Sequence, residues 1–343
     1  MDRLISIITL TYNYGHLIHR LFDSVLQQTY TNIEMIVIDD GSTDKTKQII
    51  EEYTNKFNKK KYKFCYFYQE NQKQAVAMNN GLKLITGDYL VWPDADNWYA
   101  KPDALEIMAT ALDDTDDEIS CCRSLAYLVD ENFNVMGKTR HHSPEQLFKD
   151  CLLARKFKFA PGFTMVKTHI LFDKIDNRTI YTGKNFYGQN WQIYLPIFYN
   201  HKCIMIDECL FNIFVHTNSD SHKKYSYERQ LEKTRIIYDA REAILHSIKD
   251  MPNEERKDLI YEIKVQHDMR ELLIHFYFGE NKNVKHVYRQ MIANNIVIPI
   301  EMTFYYYLSF IPFGYIVYYK IIYKIIHVCE KIKKLFFAGS GKL

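Results

Sequence analysis

Tyr89-Leu90-Val91-Trp92-Pro93-Asp94-Ala95-Asp96-Asn97 is the stretch on which the reading of this chain turns. Four apolar residues read as the end of a buried strand. Pro93 breaks it, and two carboxylates follow with one small residue between them. A buried strand that delivers paired acids at its C-terminal tip is a usual place for an α/β protein to hold a cation and a ligand. Hard oxygen ligands suit Mg²⁺ or Mn²⁺, which keep open positions for a substrate's phosphates. Alone, D-x-D more often marks a polar turn, so the flanking sequence decides.

Working outward, Gln74 to Ile85 has helical spacing and stops at Gly87 before the strand Asp88–Trp92. Lys63 to Tyr68 reads as a more exposed strand. Ile33 to Ile38 is a second buried strand, ending in Asp39-Asp40-Gly41-Ser42-Thr43-Asp44, where Ser42 or Thr43 can cap the next helix. Leu4 to Leu10 is β-branched and apolar, and Thr11-Tyr12-Asn13 breaks it before a helix from His16 to Gln28. Strand and helix alternating at this pace imply right-handed βαβ units and a largely parallel sheet. Thr11-Tyr12-Asn13, Asp39-Asp40 and Asp94–Asp96 then converge on one rim. No G-x-G-x-x-G follows the first strand and no G-x-x-x-x-G-K-[ST] occurs, which disfavours dinucleotide and P-loop folds.

ISIITLTYNYGHLIHRLFDSVLQQTYTNIEMIVIDDGSTDKT (residues 5–46) and NQKQAVAMNNGLKLITGDYLVWPDADN (71–97) resemble the two opening blocks of the family 2 glycosyltransferases. The resemblance spans roughly residues 4–112 and continues more weakly to about 222. It implies a GT-A fold: a Rossmann-like α/β domain, a mostly parallel mixed sheet flanked by helices. It implies transfer of a sugar from a nucleotide donor, usually a UDP-sugar, to a glycan acceptor, with inversion and with Mn²⁺ or Mg²⁺. Thr11, Tyr12 and Asp40 would contact the base, and Asn71 lies near the nucleotide edge. Asp94 would bind ribose or metal, and Asp96 the metal. Asn79 and Asp88 would shape the rim.

One departure stands out. The family usually places an acid pair, often G-E-D-W, at the head of a helix beside the acceptor. Here the stretch is Gly188-Gln189-Asn190-Trp191, and an amide cannot serve as a general base at neutral pH. Gln189 and Asn190 can orient a hydroxyl; Asp220, His216 or His222 are the nearest candidate bases. His222 is alternatively a third metal ligand, and Trp191 either stacks on a sugar or is core. A sugar-nucleotide-binding scaffold without activity, and a nucleotidyltransferase, are the rival readings.

Composition bounds the rest. Hydrophobic residues at 47% and charged residues at 25% describe a globular chain, and a net charge of +2 gives no reason to expect nucleic-acid binding. Seven scattered cysteines without a C-x-x-C pair argue for reduced thiols and a cytoplasmic setting. Asp2 and Arg3 before a strand do not read as a signal peptide. Asp113 to Glu118 reads as a solvated acidic turn, and Lys138 to His142 as an exposed basic loop, with contact to an acceptor phosphate as the alternative reading. The expected division is a catalytic domain over 1–222, a helical appendage over 223–299 and an aromatic, basic segment over 300–343. From Thr303 to Tyr319 no charge occurs, Pro312 and Gly314 interrupt the run, and lysines follow. That pattern suits an interfacial segment on the inner face of the cell membrane, where a lipid-linked acceptor would be presented.

Overall fold

The computed structural model describes residues 3–155, 157–180, 188–216 and 225–311, together with 316 and 318. Two compact units emerge, Met1–Lys223 with Ala240–Pro252, and Lys224–Asp239 with Asn253–Leu343.

The first unit is built on β1 (Ile5–Thr11), α1 (Gly15–Leu26), β2 (Ile33–Asp39), α2 (Thr46–Lys59), β3 (Lys63–Tyr68), α3 (Lys73–Leu84) and β4 (Tyr89–Val91). After it come β5 (Trp98–Tyr99), α4 (Ala104–Leu112), β6 (Ile119–Val129), β7 (Val135–Lys138), α5 (Leu147–Leu152) and β8 (Thr164–Lys167). The unit continues through α6 (Thr168–Lys174), α7 (Gln189–Phe198) and β9 (Lys202–Phe214). The sheet runs β3-β2-β1-β4-β8-β6-β9-β5, with β7 on β6. It is parallel from β3 to β4 and mixed beyond. β1 and β2 are buried along almost their whole length, as their mostly apolar runs require of strands covered on both faces.

The chain steps from β1 outward to β2 and β3, then returns to the other side of β1 for β4. That reversal is a topological switch point, the crevice where open α/β sheets bind ligands. Register places Thr11 level with Asp39 and Asp39 level with Tyr68, so these strand ends form one rim.

The opposite end of the sheet explains the Gly87-Asp88-Tyr89 motif. A Cβ on Gly87 would stand 2.5 Å from Ser6 Oγ and 2.6 Å from Leu4 O, so only glycine fits. Asp88 accepts the Leu4 amide at 2.9 Å, and Tyr89 donates its hydroxyl to Asp113 at 2.9 Å. Asp88 therefore clamps the start of the strands and does not shape the rim, because the rim lies at the other end of β4. The acidic turn is likewise tied down. His169 meets Asp117 at 2.9 Å, Lys202 meets Glu118 at 2.6 Å, and Lys167 donates to the Thr115 and Asp116 carbonyls. In the basic loop, His142 is held by Asp150 at 2.7 Å and the Thr139 hydroxyl accepts the Ala126 amide. The cysteines among the described residues are free.

The second unit consists of the first part of α8 (Tyr227–Ser247), then α9 (Asn253–Tyr277), α10 (Asn281–Ala293) and α11 (Ile300–Leu308). Leu272, Phe276, Val284, Val287, Met291, Tyr305 and Leu308 form its core. Among the described residues no helix is long and apolar enough to cross a membrane. Most of the expected interfacial segment lies outside the described residues.

Candidate active site

The rim is assembled from short-range geometry first. Asn13 adopts a left-handed φ of 60°, which asparagine tolerates, and its Oδ1 accepts the Thr43 amide at 2.8 Å. Its own amide donates to Ser42 Oγ at 2.9 Å. The loop after β1 and the loop after β2 are thereby sewn together. Neither Ser42 nor Thr43 caps α2: Lys45 stands at its N-cap, and Asp44 before it accepts the Thr46 amide at 2.9 Å and the Gly15 amide at 3.2 Å. The reason is that Ser42 is already engaged by Asn13.

Asp40 is 6% exposed and accepts Gln69 Nε2 at 2.8 Å, the Gln72 amide at 2.8 Å and the Lys73 amide at 3.0 Å. A carboxylate has about four lone-pair sites, so room remains for one further donor. Gly41 has φ +86°, and a Cβ there would lie 2.8 Å from the Asn71 amide nitrogen, so Asn71 packs under the Asp40 loop. Thr11 is buried and its Oγ1 has no hydrogen-bond partner, whereas Tyr12 beside it is 47% exposed. A partnerless buried hydroxyl next to an open aromatic ring suits a ligand with polar edges and a flat face.

β4 hands over to the D-x-D turn in the same way. Thr9 Oγ1 donates to the Pro93 carbonyl at 3.2 Å, and the Asn97 amide closes a turn onto Asp94 O at 3.1 Å. Ala95 drops into the core, with Asp94 and Asp96 on either side of it. Desolvation, and then the negative charge of Asp96, push Asp94 up to about 8. Asp94 is solvent-exposed as a residue, so the repulsion from Asp96 carries the chemical message. Two carboxylates one residue apart at a strand tip are hard oxygen donors that fit a divalent cation.

That site draws on a strand more than a hundred residues away. β5 pairs with β9, Trp98 opposite Asn212, and Asn97 Oδ1 accepts the Phe214 amide at 2.8 Å. This register brings His216 in from the end of β9, with Nε2 3.2 Å from Asp96 Oδ2 and its side chain only 9% exposed. His216 thus sits beside an acid of the D-x-D turn, a position open both to a metal ligand and to a base oriented by Asp96. Asp220 and His222 lie outside the described residues.

Gln189 and Asn190 begin α7, after Gly188 at φ +103°. Gln189 Nε2 donates to Gln74 at 2.9 Å. Asn190 Oδ1 accepts Trp92 Nε1 at 2.9 Å, and its Nδ2 donates to the Phe159 carbonyl at 3.0 Å. Both ends of that amide hold protein groups, and an aspartate could not make the second bond. Trp191 is half-buried: its Nε1 donates to Cys151 O at 2.8 Å and its ring meets Phe159 edge-on. Asn79 holds Ile180 through both its amide atoms, at 2.7 and 2.9 Å.

Residues 6–176 match the family model described as Glycosyl transferase family 2, and through this region the chain belongs to that family. An uncharacterized glycosyltransferase of Rickettsia typhi is 33% identical over 175 residues, 50% of this chain and 52% of the relative. The chain spans about half the length of that relative. Among solved structures, S. aureus TarS 1–349 in complex with UDP-GlcNAc aligns with TM-score 0.56 at 18% identity, over 83% of this chain and 82% of that one. A mannosyltransferase of Pyrobaculum calidifontis, solved with GDP-Man and Mn²⁺, aligns with TM-score 0.55 at 14% identity, over 95% and 83%. The fold is that of the GT-A glycosyltransferases.

Proposed function

We propose that this chain is a glycosyltransferase that moves a sugar from a nucleoside diphosphate donor to a glycan hydroxyl. The observation that carries the reading is the Asp94-Ala95-Asp96 turn at the switch point with His216 set against Asp96. Thr11, Tyr12, Asp40 and Asn71 would bind the base and ribose, Tyr12 by stacking and the Thr11 hydroxyl by the bond it lacks. The donor set of two carboxylates and one imidazole fits Mn²⁺ or Mg²⁺, with Asp94, Asp96 and His216 as ligands and His222 as a further candidate. Such an ion would offset the charge that builds on the departing diphosphate.

UDP is the expected nucleotide and inversion the expected stereochemistry, both taken from the family. Asn190 holds Trp92, two residues before Asp94, and so positions the turn; it does not take a proton. The proton acceptor is sought instead at Asp220 or His222. The acceptor is read as a lipid-linked glycan at the inner face of the membrane, reached through residues 303–337. The amide pair Gln189–Asn190 favours one rival, a scaffold that binds sugar nucleotides without transferring them.

A thermal-shift screen of UDP-, GDP- and dTDP-sugars with and without Mn²⁺ tests donor binding. A donor at a hundred times its dissociation constant adds about 2.7 kcal/mol to stability. A cation-dependent rise with one nucleotide supports the site, and no rise with any of them refutes it. Product analysis by mass spectrometry then separates transfer from binding alone.

A further inference from the structure

The second unit carries an exposed apolar surface on α11 and the approach to it. On α11, Tyr305 and Leu308 face inward, and Tyr305 packs on Phe276 with ring centroids 4.9 Å apart. The opposite face presents Ile300, Phe304 and Tyr307 at helical spacing, followed by Phe310 and Ile311, all exposed. Ile300 is 81% exposed, Tyr307 65%, and Val297 in the approach to the helix 88%. Chance exposure of single apolar residues is ordinary, but a run of this size on one short element marks a docking surface.

Charge identifies the occupant. α10 packs beside α11, with Tyr288 stacked on Tyr306 at 4.1 Å and its hydroxyl 2.9 Å from Thr303 Oγ1. Lys282, His286 and Arg289 line the exposed side of α10 at i, i+4 and i+7. Lys285 places its ammonium 3.8 Å from the centroid of the exposed Phe310 ring, so cation and apolar surface meet. Along α10 and α11, from Asn281 to Ile311, Lys282, Lys285 and Arg289 stand against one carboxylate, Glu301, with Glu280 just before the first helix. A protein partner with an apolar patch would not require cations set along its border. An anionic lipid surface would, because it takes aromatic and aliphatic side chains into the headgroup boundary and holds lysines and arginines at the phosphates.

We propose that the α10–α11 face is a docking surface for an anionic bilayer, made by the folded helices independently of the tail that follows them. It deepens the reading that the protein meets a membrane, and does not depend on sugar transfer.

Co-sedimentation of the full chain with phosphatidylglycerol-containing vesicles, against pure phosphatidylcholine vesicles, tests it. The full chain should bind the anionic vesicles selectively, and weaken as salt rises. Ile300→Ser/Phe304→Ser/Tyr307→Ser should reduce partitioning about tenfold or more, in line with the loss of buried apolar surface. Lys282→Glu/Arg289→Glu touches only solvated side chains and should reduce anionic binding by a similar factor. Tyr307→Trp should retain it. Donor thermal shifts should stay unchanged in all of these. Wild-type binding by both α11 and α10 variants overturns the proposal. If only Lys320→Glu/Lys324→Glu abolishes binding, the tail is the anchor and the face is not. A dimer in solution that the triple variant dissociates assigns the face to a second copy and also overturns it.

Discussion

Glu34 at the strand starts and Asp94 in the D-x-D turn at the strand ends are carboxylates in opposite circumstances. At the strand starts, Glu34 is buried and receives Ser6 Oγ, the Thr86 hydroxyl and the Thr86 and Gly87 amides. Asp88 and Asp113 there accept backbone or hydroxyl donors from neighbouring strands and loops. At the strand ends, Asp94 receives one long bond from Asn97 Nδ2 at 3.4 Å, and the buried Thr11 hydroxyl receives none. The closed end contributes stability. The end left short of partners retains bonding capacity for something that arrives later, because an unmet buried polar group costs free energy until a ligand meets it.

The strongest way to break that comparison is Asp96→Ala. Cation-dependent donor affinity by calorimetry should fall about 100-fold or more, while the melting temperature without ligand holds or rises. An unchanged Mn²⁺–UDP affinity would remove Asp96 from the site. Glu34→Ala should do the reverse, costing about 2 kcal/mol of stability in urea titration because several buried donors lose their acceptor, with donor affinity per folded molecule unaltered. A Glu34→Ala protein as stable as the wild type would deny the closed end its role.

His216→Ala probes the long-range contact, and the cation's affinity should drop about tenfold while the fold persists. Equal Mn²⁺ affinity in wild type and variant would leave His216 as a mere neighbour of Asp96. The smallest effect is expected from Thr11→Val, which removes a hydroxyl that has no partner. The free protein should gain on the order of 0.5–1 kcal/mol and donor binding should weaken modestly. A loss of stability instead would mean the hydroxyl is satisfied in the free state.

Much of the parallel half of the fold could be read from residues alone. Runs rich in isoleucine, valine and threonine at 5–11 and 33–39 have few structural uses other than buried strands, and their polar ends then have to meet. The D-x-D turn was legible for the same reason: Pro93 ends the strand and Ala95 is small enough to enter the core. Neither Ser42 nor Thr43 caps α2, because Asn13 from another loop engages both, a contact no local pattern displays. Asp88 was misplaced because sequence adjacency to a site says nothing about which end of a strand a residue occupies.

By itself, then, the sequence determined the alternating strands and helices, the family resemblance and the paired acids. Local periodicity and chain-breaking residues act over a few positions and survive in one dimension. Tertiary structure alone decided that His216 stands beside Asp96 and that Asn190 is spent on Trp92 and Phe159. Those contacts join residues about a hundred positions apart, or thirty in the case of Phe159, and depend on the β5–β9 register and on where α7 begins. Nothing in a linear pattern encodes such a register except through the packing of the whole sheet.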